Sequence, residues 1–175
     1  PSQEDIEAGP YFYLDTGDKT ALQKIVTEQR IDYIVHNAAL LSVTAEADPA
    51  KAFLVNDVGQ RNILDVAKDF GLRLFAPSSI ATFGPTAPLD NTPNVTIQRP
   101  MTMYGINKLD LELTGEYFHQ RYRDTGFEFR CLRLPGIISA MRKPGGGTTD
   151  WANEALNAAA HGQTSYKCWM APKQR

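Results

Sequence analysis

The sequence has no long apolar run, little cysteine and no excess of charge of one sign. No stretch approaches the ~20 apolar residues of a membrane span, and residues 1–5 lack the basic start and apolar core of an export signal. The two cysteines, Cys131 and Cys168, have no metal-ligand spacing, which favours reduced thiols in an intracellular protein. Eighteen Lys and Arg against twenty Asp and Glu form no run, which argues against a nucleic-acid or membrane surface. The expected partner is a small molecule.

What the sequence does contain is an alternation of strand and helix patterns in a chain of 175 residues, a length that fits one domain. Residues before the first strand read as a loop. Apolar runs predict strands at 11–15, 33–39, 72–76 and 127–134. Helical periodicity predicts helices after Asp18, after the second strand, and at 49–70, 102–124 and 149–160, with Pro49 at an N-terminal position and Gly71 as the C-cap. Such alternation predicts an α/β fold with a parallel sheet covered by helices.

Polar or small residues close each predicted strand. Asp15, Asn37, the pair Ser78 and Ser79, and the pair Pro135 and Gly136 stand at the four strand ends. In a parallel sheet the carboxyl ends of the strands share one edge, where ligands bind. We therefore expect these residues to meet in one site.

Tyr104 and Lys108 are the most specific pair for chemistry, because residues at i and i+4 share one helix face. A phenol has a pKa of about 10, so a tyrosine base that works near neutral pH needs a pKa lower by ~2 to 3 units. Burial acts in the opposite direction. The ammonium of Lys108, aided by the positive charge of an oxidised nicotinamide ring, is predicted to supply the compensating field. The alternative is that the Tyr-x-x-x-Lys pattern occurs on this helix by chance and has no catalytic role.

The motif Ser-Ser-x-x-x-Phe-Gly at 78–84, followed by Tyr-Gly-x-x-Lys at 104–108, resembles the extended short-chain dehydrogenase/reductase family of NAD-dependent epimerases and dehydratases. Within that family, the runs 39–42, 97–100, 129–139 and 144–150 are similar to members that oxidise L-threonine. The resemblance implies a Rossmann-like doubly wound parallel sheet. It also implies NAD as cofactor, no metal, and oxidation of L-threonine to 2-amino-3-ketobutyrate by hydride transfer to NAD.

The same resemblance assigns roles to individual residues. Tyr104 is the base, Lys108 is its electrostatic partner and holds the nicotinamide ribose, and Ser79 orients the substrate hydroxyl, with Ser78 sharing that task. The residues implied in cofactor binding are Asp15, Asn37, Ala38, Ala39, Leu40, Asn56, Tyr104, Lys108, Leu134, Pro135, Gly136 and Ile137. The residues implied in substrate binding are Ser42, Ser79, Tyr104, Gly147 and Thr148.

Several of these assignments have plain structural alternatives. Asp15 could only cap the helix that follows it, and Asn56 could either fix a bend in its helix or face solvent. Ser42 could simply end a loop. The glycines at 145–147 could form a flexible connector, although glycines before a helix start also favour a carboxylate site through free N–H groups. His36 is interpreted as a packed core histidine.

Complete members of the family open with a strand, a glycine-rich turn and a helix that binds pyrophosphate, and we find no such pattern here. We therefore expect an interior fragment without the first two strands and the C-terminal lobe. Residues 1–175 would form a single partial NAD-binding domain, with the substrate lobe starting at about 140–175. As an isolated polypeptide it is expected to bind NAD weakly, dissolve poorly and show no turnover.

Two other functions stay open from the sequence. One is a nucleotide-sugar epimerase or dehydratase of the same family, and the other is an inactive fragment. The full-length protein is expected to form a homodimer through two long helices. The compartment is unknown: cytoplasmic if the protein is bacterial, mitochondrial if it is eukaryotic.

Overall fold

The computed structural model describes residues 3–138, 147 and 149–168. None of its helices in these ranges has both the length and the apolar character needed to cross a membrane. In chain order the elements are α1 Gln3–Glu7, α2 Lys19–Glu28, β1 Tyr33–Val35, α3 Ser42–Ala47, α4 Pro49–Ala52, a π-helical segment Phe53–Gly59, α5 Gln60–Asp69, β2 Arg73–Ser79, a 3-10 turn Ile80–Thr82, α6 Met103–Tyr122, a 3-10 turn Arg123–Thr125, β3 Glu128–Leu134 and α7 Asp150–Ala160.

The strands form a parallel sheet in the order β1-β2-β3, which confirms the predicted α/β fold. β2 pairs with β3 from Arg73 opposite Glu128 to Ser79 opposite Leu134, so both strands end at the same level. β1 pairs with β2 over three residues, ending at Val35. Because all three strands run in the same direction, the segments that follow them leave from one edge of the sheet.

The N-terminal region differs from the sequence prediction in two places. Residues 3–7 are helical where a loop was expected, and the strand predicted at 11–15 is not formed. A strand needs a neighbour for its backbone hydrogen bonds, and in the described part of the chain β1 pairs with β2 and not with residues 11–15. Leu14 still packs against the core, while Tyr13 is 94% exposed.

The helix predicted at 49–70 is confirmed, and it contains a feature that the sequence did not predict. Its start is capped by Asp48, whose carboxylate accepts a hydrogen bond from Lys51 N at 3.0 Å, with Pro49 at the first position. Gly71 follows its end with φ +64°, the left-handed conformation that favours glycine. Between α4 and α5, the segment Phe53–Gly59 is π-helical, and π turns inside α-helices occur frequently at functional sites.

The hydrophobic core lies between the sheet and helices α2, α5 and α6. Its largest fully buried apolar side chains are Phe127, Leu64, Leu74, Leu111 and Val66. The strands contribute to it from one face: Ile34, Leu74 and Phe129 are aligned in the register, as are Ala76 and Cys131, whereas Val35 and Leu132 on the opposite face are 53% and 60% exposed. This packing fixes the carboxyl ends of β2 and β3 relative to the first turns of α6.

The approach of α6 to β3 depends on Gly115, and this gives a stability prediction. A Cβ atom at Gly115 would lie 2.3 Å from the ring of Phe129. Gly115→Ala is therefore expected to lower the free energy of unfolding by about 1 to 2 kcal/mol, since overpacking costs roughly 1 to 3 kcal/mol and the gain in helix propensity returns up to ~1. Urea unfolding measures the change.

Gly9→Ala is the matched control, because a Cβ atom at Gly9 meets nothing within 4 Å. The control should unfold at the wild-type urea concentration. A Gly115→Ala protein as stable as wild type would contradict the close packing of α6 on β3.

Candidate active site at the carboxyl edge of the sheet

Two cavities open where the strands end. The first, of about 280 Å³, is lined by Asn37, Ala39, Leu41, Pro77, Ser78, Ser79, Tyr104, Lys108, Leu134, Pro135 and Ile137. The second, of about 400 Å³, is lined by Leu41, Ser42, Ser79, Ile80, Ala81, Tyr104, Pro135, Gly136, Ile137, Gly147, Thr149 and Asp150. The segments after β1, β2 and β3 thus meet at one edge, as the sequence indicated, whereas Asp15, the fourth residue predicted for this edge, lines neither cavity. Ser79 and Tyr104 line both cavities, so the cavities adjoin at these two side chains.

Tyr104 stands in the first turn of α6, whose position is tightly set. Thr102 caps this helix by accepting a hydrogen bond from Gly105 N at 3.1 Å. Gly105 packs so closely on the turn after β2 that a Cβ atom there would lie 2.3 Å from Ala81 O. Because that turn begins directly after Ser79, the contact brings the Tyr104 side chain beside the Ser79 hydroxyl.

The pKa of Tyr104 is raised, in the direction that the sequence analysis expected from burial; the lowered value was predicted for a site with Lys108 and an oxidised nicotinamide ring beside the phenol. Burial is the largest cause, and a side-chain hydrogen bond between Ser79 and the phenol oxygen, which favours the ionised form, opposes it. Tyr104 is therefore a neutral phenol at neutral pH in this structure.

Lys108 lies one helical turn after Tyr104 and is 9% exposed. Its ammonium donates a hydrogen bond to Pro77 O at 2.6 Å, and its Nζ is 5.7 Å from the centre of the Tyr104 ring. Burial lowers the pKa of Lys108 to about 8. The predicted pair is thus adjacent in space, and the amine is held toward the carbonyl edge of β2 rather than in contact with the phenol oxygen.

Ser78 has a different partner from Ser79. Its hydroxyl donates a hydrogen bond to Glu112 Oε1 inside the protein, and Ser78 is 2% exposed. Glu112 also accepts from Arg133 Nε at 2.9 Å and from Arg133 Nη2 at 2.7 Å. The expectation that Ser78 shares the orienting task with Ser79 does not fit this geometry, because its hydroxyl is directed at Glu112.

The Arg133 guanidinium extends this contact to the loop between β2 and α6. It donates to Asn94 O at 2.7 Å and to the side chain of Gln98 at 3.2 Å. Sequence reasoning did not single out Glu112 or Arg133. A signal was present, since Glu112 follows Lys108 by four residues and shares the helix face of Tyr104.

Asn56 is 4% exposed, which excludes the alternative that it faces solvent. Its side chain accepts from Leu40 N at 2.8 Å and donates to Leu40 O at 3.0 Å. Asn56 lies within the π-helical segment, so it is located at an irregularity of its helix beside the loop that follows β1.

The side chain of Asp15 makes its contact within the turn before α2. Asp15 is exposed, and its carboxylate accepts from Gly17 N at 2.8 Å in the turn before α2, while Asp18 is the actual cap of that helix through Ala21 N. Asp15 therefore does not cap α2.

His36 is 8% exposed, and burial, followed by the charge of Lys108, lowers its pKa to about 4. It is a neutral core histidine at neutral pH, as the sequence indicated.

On the side of the second cavity, Ser42 opens α3 and Gly147 precedes α7. Gly147 N donates to Asp150 Oδ2 at 2.7 Å, so the N–H that the sequence offered to a ligand carboxylate has a partner in this chain. Thr148, the neighbouring predicted contact, lies outside the described residues.

Comparison with known proteins gives concordant results. The family model described as the NAD dependent epimerase/dehydratase family matches residues 2–175. The chain is 46% identical over 175 residues to the mitochondrial L-threonine 3-dehydrogenase of Bos taurus, covering 100% of this chain and 46% of that protein.

Two solved structures are similar in sequence and fold. The L-threonine dehydrogenase from Phytophthora infestans has a TM-score of 0.83 and 49% identity, over 87% of this chain and 49% of that chain. The L-threonine dehydrogenase from Clostridium difficile has a TM-score of 0.88 and 41% identity, over 94% and 50%. The chain thus spans about half the length of these relatives.

Proposed function

The chain belongs to the NAD-dependent epimerase/dehydratase family, and on that premise we propose that it carries the catalytic residues for NAD-dependent oxidation of L-threonine to 2-amino-3-ketobutyrate. The observation that carries this proposal is the position of Ser79 and Tyr104 on both adjoining cavities. A hydroxyl group held between them would lie at the boundary of a cofactor site and a substrate site. The choice of L-threonine is supported by similarity to proteins named as L-threonine dehydrogenases.

The residues of the smaller cavity fit the nicotinamide and ribose end of NAD. The buried ammonium of Lys108 supplies hydrogen-bond donors for ribose hydroxyls, and Leu134, Pro135 and Ile137 supply an apolar wall for the ring. In this proposal Asn37, Ala38, Ala39 and Leu40 lie along the cofactor, with Asn56 supporting Leu40, Gly136 beside the ring and Asp15 near the adenine. When bound, NAD in its oxidised form supplies a hydride acceptor and a positive charge.

Ser79 is proposed to position the substrate by a hydrogen bond to the threonine side-chain hydroxyl. Tyr104 then accepts the hydroxyl proton on its phenol oxygen, while the C–H bonding pair of the same carbon leaves as hydride and the C–O bond becomes a ketone. The reaction balances as L-threonine and NAD⁺ giving 2-amino-3-ketobutyrate, NADH and a proton.

In this mechanism Lys108 helps to offset the raised pKa of Tyr104. The pKa of Tyr104 is raised although Lys108 is nearby, so the phenol is protonated near neutral pH. Lys108 is largely protonated below its pKa of about 8 and contributes one positive charge next to the ring. Together with the positive charge that bound NAD in its oxidised form would supply, the ammonium of Lys108 would favour the phenolate.

The larger cavity is proposed to hold the amino-acid part of the substrate, with Ser42, Gly147 and Thr148 as its contacts. Binding of the substrate carboxylate at Gly147 requires this N–H to exchange its bond with Asp150 for one with the ligand. The full-length protein is proposed to be a homodimer. Exposed apolar side chains on the π-helical segment and α6 support this, namely Phe53, Leu54, Val58, Ile106, Leu113 and Tyr117.

The test is a substrate panel run on the protein translated from its whole reading frame, because the chain spans about half the length of its relatives. NADH formation is measured with L-threonine, and conversion of UDP-sugars to an epimer or a 4-keto sugar is followed by chromatography, because these two sugar reactions are redox-neutral and release no NADH. We expect NADH with L-threonine and no sugar product. Conversion of a UDP-sugar without NADH formation from L-threonine would exclude the threonine proposal in favour of a nucleotide-sugar enzyme, and the absence of both products would favour an inactive protein.

A further inference from the structure

A row of buried polar groups connects the π-helical segment, α6 and the loop after β1. Asp57 Oδ2 accepts a hydrogen bond from Asn107 Nδ2 at 2.8 Å. Asn107 Oδ1 accepts from Asn56 Nδ2 at 3.1 Å, and Asn56 Oδ1 accepts from Leu40 N at 2.8 Å. We call these four groups, from Asp57 to the Leu40 backbone, the amide relay.

The groups at the two ends of the amide relay determine which of its members donate and which accept hydrogen bonds. An ionised carboxylate only accepts hydrogen bonds, so Asn107 must turn its NH₂ group toward Asp57 and its oxygen toward Asn56. The NH₂ group of Asn56 then faces Asn107 Oδ1 and Leu40 O, which leaves its oxygen for Leu40 N. Every step therefore pairs a donor with an acceptor.

Asn56 and Asn107 are buried too deeply for water to replace a lost partner easily, since they are 4% and 1% exposed. A buried amide group without its partner is costly. The acceptor on Asp57 is thus the feature that keeps the Asn107 amide in its observed orientation.

Apart from its place in the amide relay, the surroundings of Asp57 do not favour a carboxylate. In the part of the chain that the structure describes, its second oxygen Oδ1 is buried without a hydrogen-bond partner. Burial, then the nearby charge of Asp110 on α6, raises the pKa of Asp57 to about 6, and the hydrogen bond from Asn107 opposes that rise. Above that pH the carboxylate is ionised and accepts only.

The amide relay ends at the cofactor side of the proposed site. Leu40 lies between Ala39 and Leu41, which both line the smaller cavity. Asn107 directly precedes Lys108 on α6, so the same relay connects the loop after β1 with the helix of the proposed catalytic residues. Neither Asp57 nor Asn107 lines either cavity.

We propose that Asp57 is a positioning residue, which holds the loop 37–41 against the cofactor site through Asn107 and Asn56. The cofactor part of this inference rests on the proposed function. The positioning of loop 37–41 by Asp57 concerns only residues of this chain. It requires a hydrogen-bond acceptor at position 57 and does not require a negative charge.

The experiment measures amide hydrogen exchange at Leu40 and at Leu74, a core residue of β2, in the full chain. Asp57→Ala is expected to accelerate exchange at Leu40 by about tenfold, because the Asn107 and Asn56 amides lose their fixed orientation. Exchange at Leu74 should stay within about twofold of wild type, since no core contact is removed. Asp57→Asn keeps an acceptor oxygen and should restore slow exchange at Leu40.

Asp69→Ala is the matched control, because Asp69 is an aspartate at the end of α5 that pairs with Lys68 on the surface. It should leave both amides unchanged. The proposal is overturned if Asp57→Ala leaves Leu40 exchange unchanged, accelerates Leu40 and Leu74 equally, or is not rescued by Asp57→Asn.

A parallel titration with NAD⁺ separates the inference from the proposed function. Where the wild type binds NAD⁺, Asp57→Ala should raise the dissociation constant about tenfold, matching the faster exchange at Leu40, and Asp57→Asn should not. An unchanged dissociation constant in Asp57→Ala would overturn the link to the cofactor. Absence of NAD⁺ binding to the wild type would count against the proposed function, while the exchange data alone would still decide whether Asp57 positions the loop.

Discussion

Tyr104→Phe is expected to lower kcat for NADH formation from L-threonine by roughly 10² to 10⁴-fold, the range typical of a lost general base. The substitution removes one oxygen, which in our proposal is the atom that accepts the substrate proton. The aromatic ring remains and still lines both cavities, so the dissociation constant for NAD⁺ should change by less than about threefold. Steady-state kinetics and a fluorescence titration of NAD⁺ on the whole protein measure the two quantities.

Tyr13→Phe provides the matched control. Tyr13 is 94% exposed and lines neither cavity, so its variant should turn over at the wild-type rate. A Tyr104→Phe enzyme that retains more than about one tenth of wild-type kcat would mean that another group takes the proton.

Glu112→Ala is expected to lower the free energy of unfolding by about 2 to 3 kcal/mol, less than the roughly 3 to 5 kcal/mol for one partner of a fully buried ion pair, because Arg133 is only partly buried. The Glu112 and Arg133 side chains are 10% and 22% exposed, and two guanidinium nitrogens contact the carboxylate. The substitution leaves the guanidinium without its counter-ion and the Ser78 hydroxyl without its acceptor. Urea unfolding followed by circular dichroism measures the loss.

Glu116→Ala is the control for this substitution, since Glu116 is an exposed glutamate one turn further along α6, bonded to Gln120. Its removal should change the free energy of unfolding by less than about 0.5 kcal/mol. If the two variants unfold at the same urea concentration, the contact between Glu112 and Arg133 does not stabilise the junction of α6, β3 and the loop 84–100.

Much of the architecture could be predicted from the sequence because it is a local property of the chain. The apolar runs that became β2 and β3, and the helical stripes that became α5 and α6, are periodic over many residues and are confirmed. The segment 11–15 has the same apolar character and forms no strand. A strand requires a neighbouring strand, and that requirement is not written in the residues of the segment itself.

The candidate site was predicted to the extent that it depends on residue order along strands and helices. Ser79, Tyr104 and Lys108 lie together because one closes a strand and the other two share a helix face. The balance that sets the pKa of Tyr104 was not predictable, since it depends on how much water the packed chain removes from the phenol compared with the field of a nearby cation.

By itself, the sequence determined the order of strands and helices, the edge at which polar residues gather, and the family to which the chain is similar, because these follow from periodicity and motif. The tertiary structure decided which partners the polar groups have. It directed Ser78 to Glu112, joined Arg133 to Asn94, and connected Asp57 through two amides to Leu40. Hydrogen bonds and burial link residues that are far apart in the chain, and only the packed fold brings such groups within bonding distance.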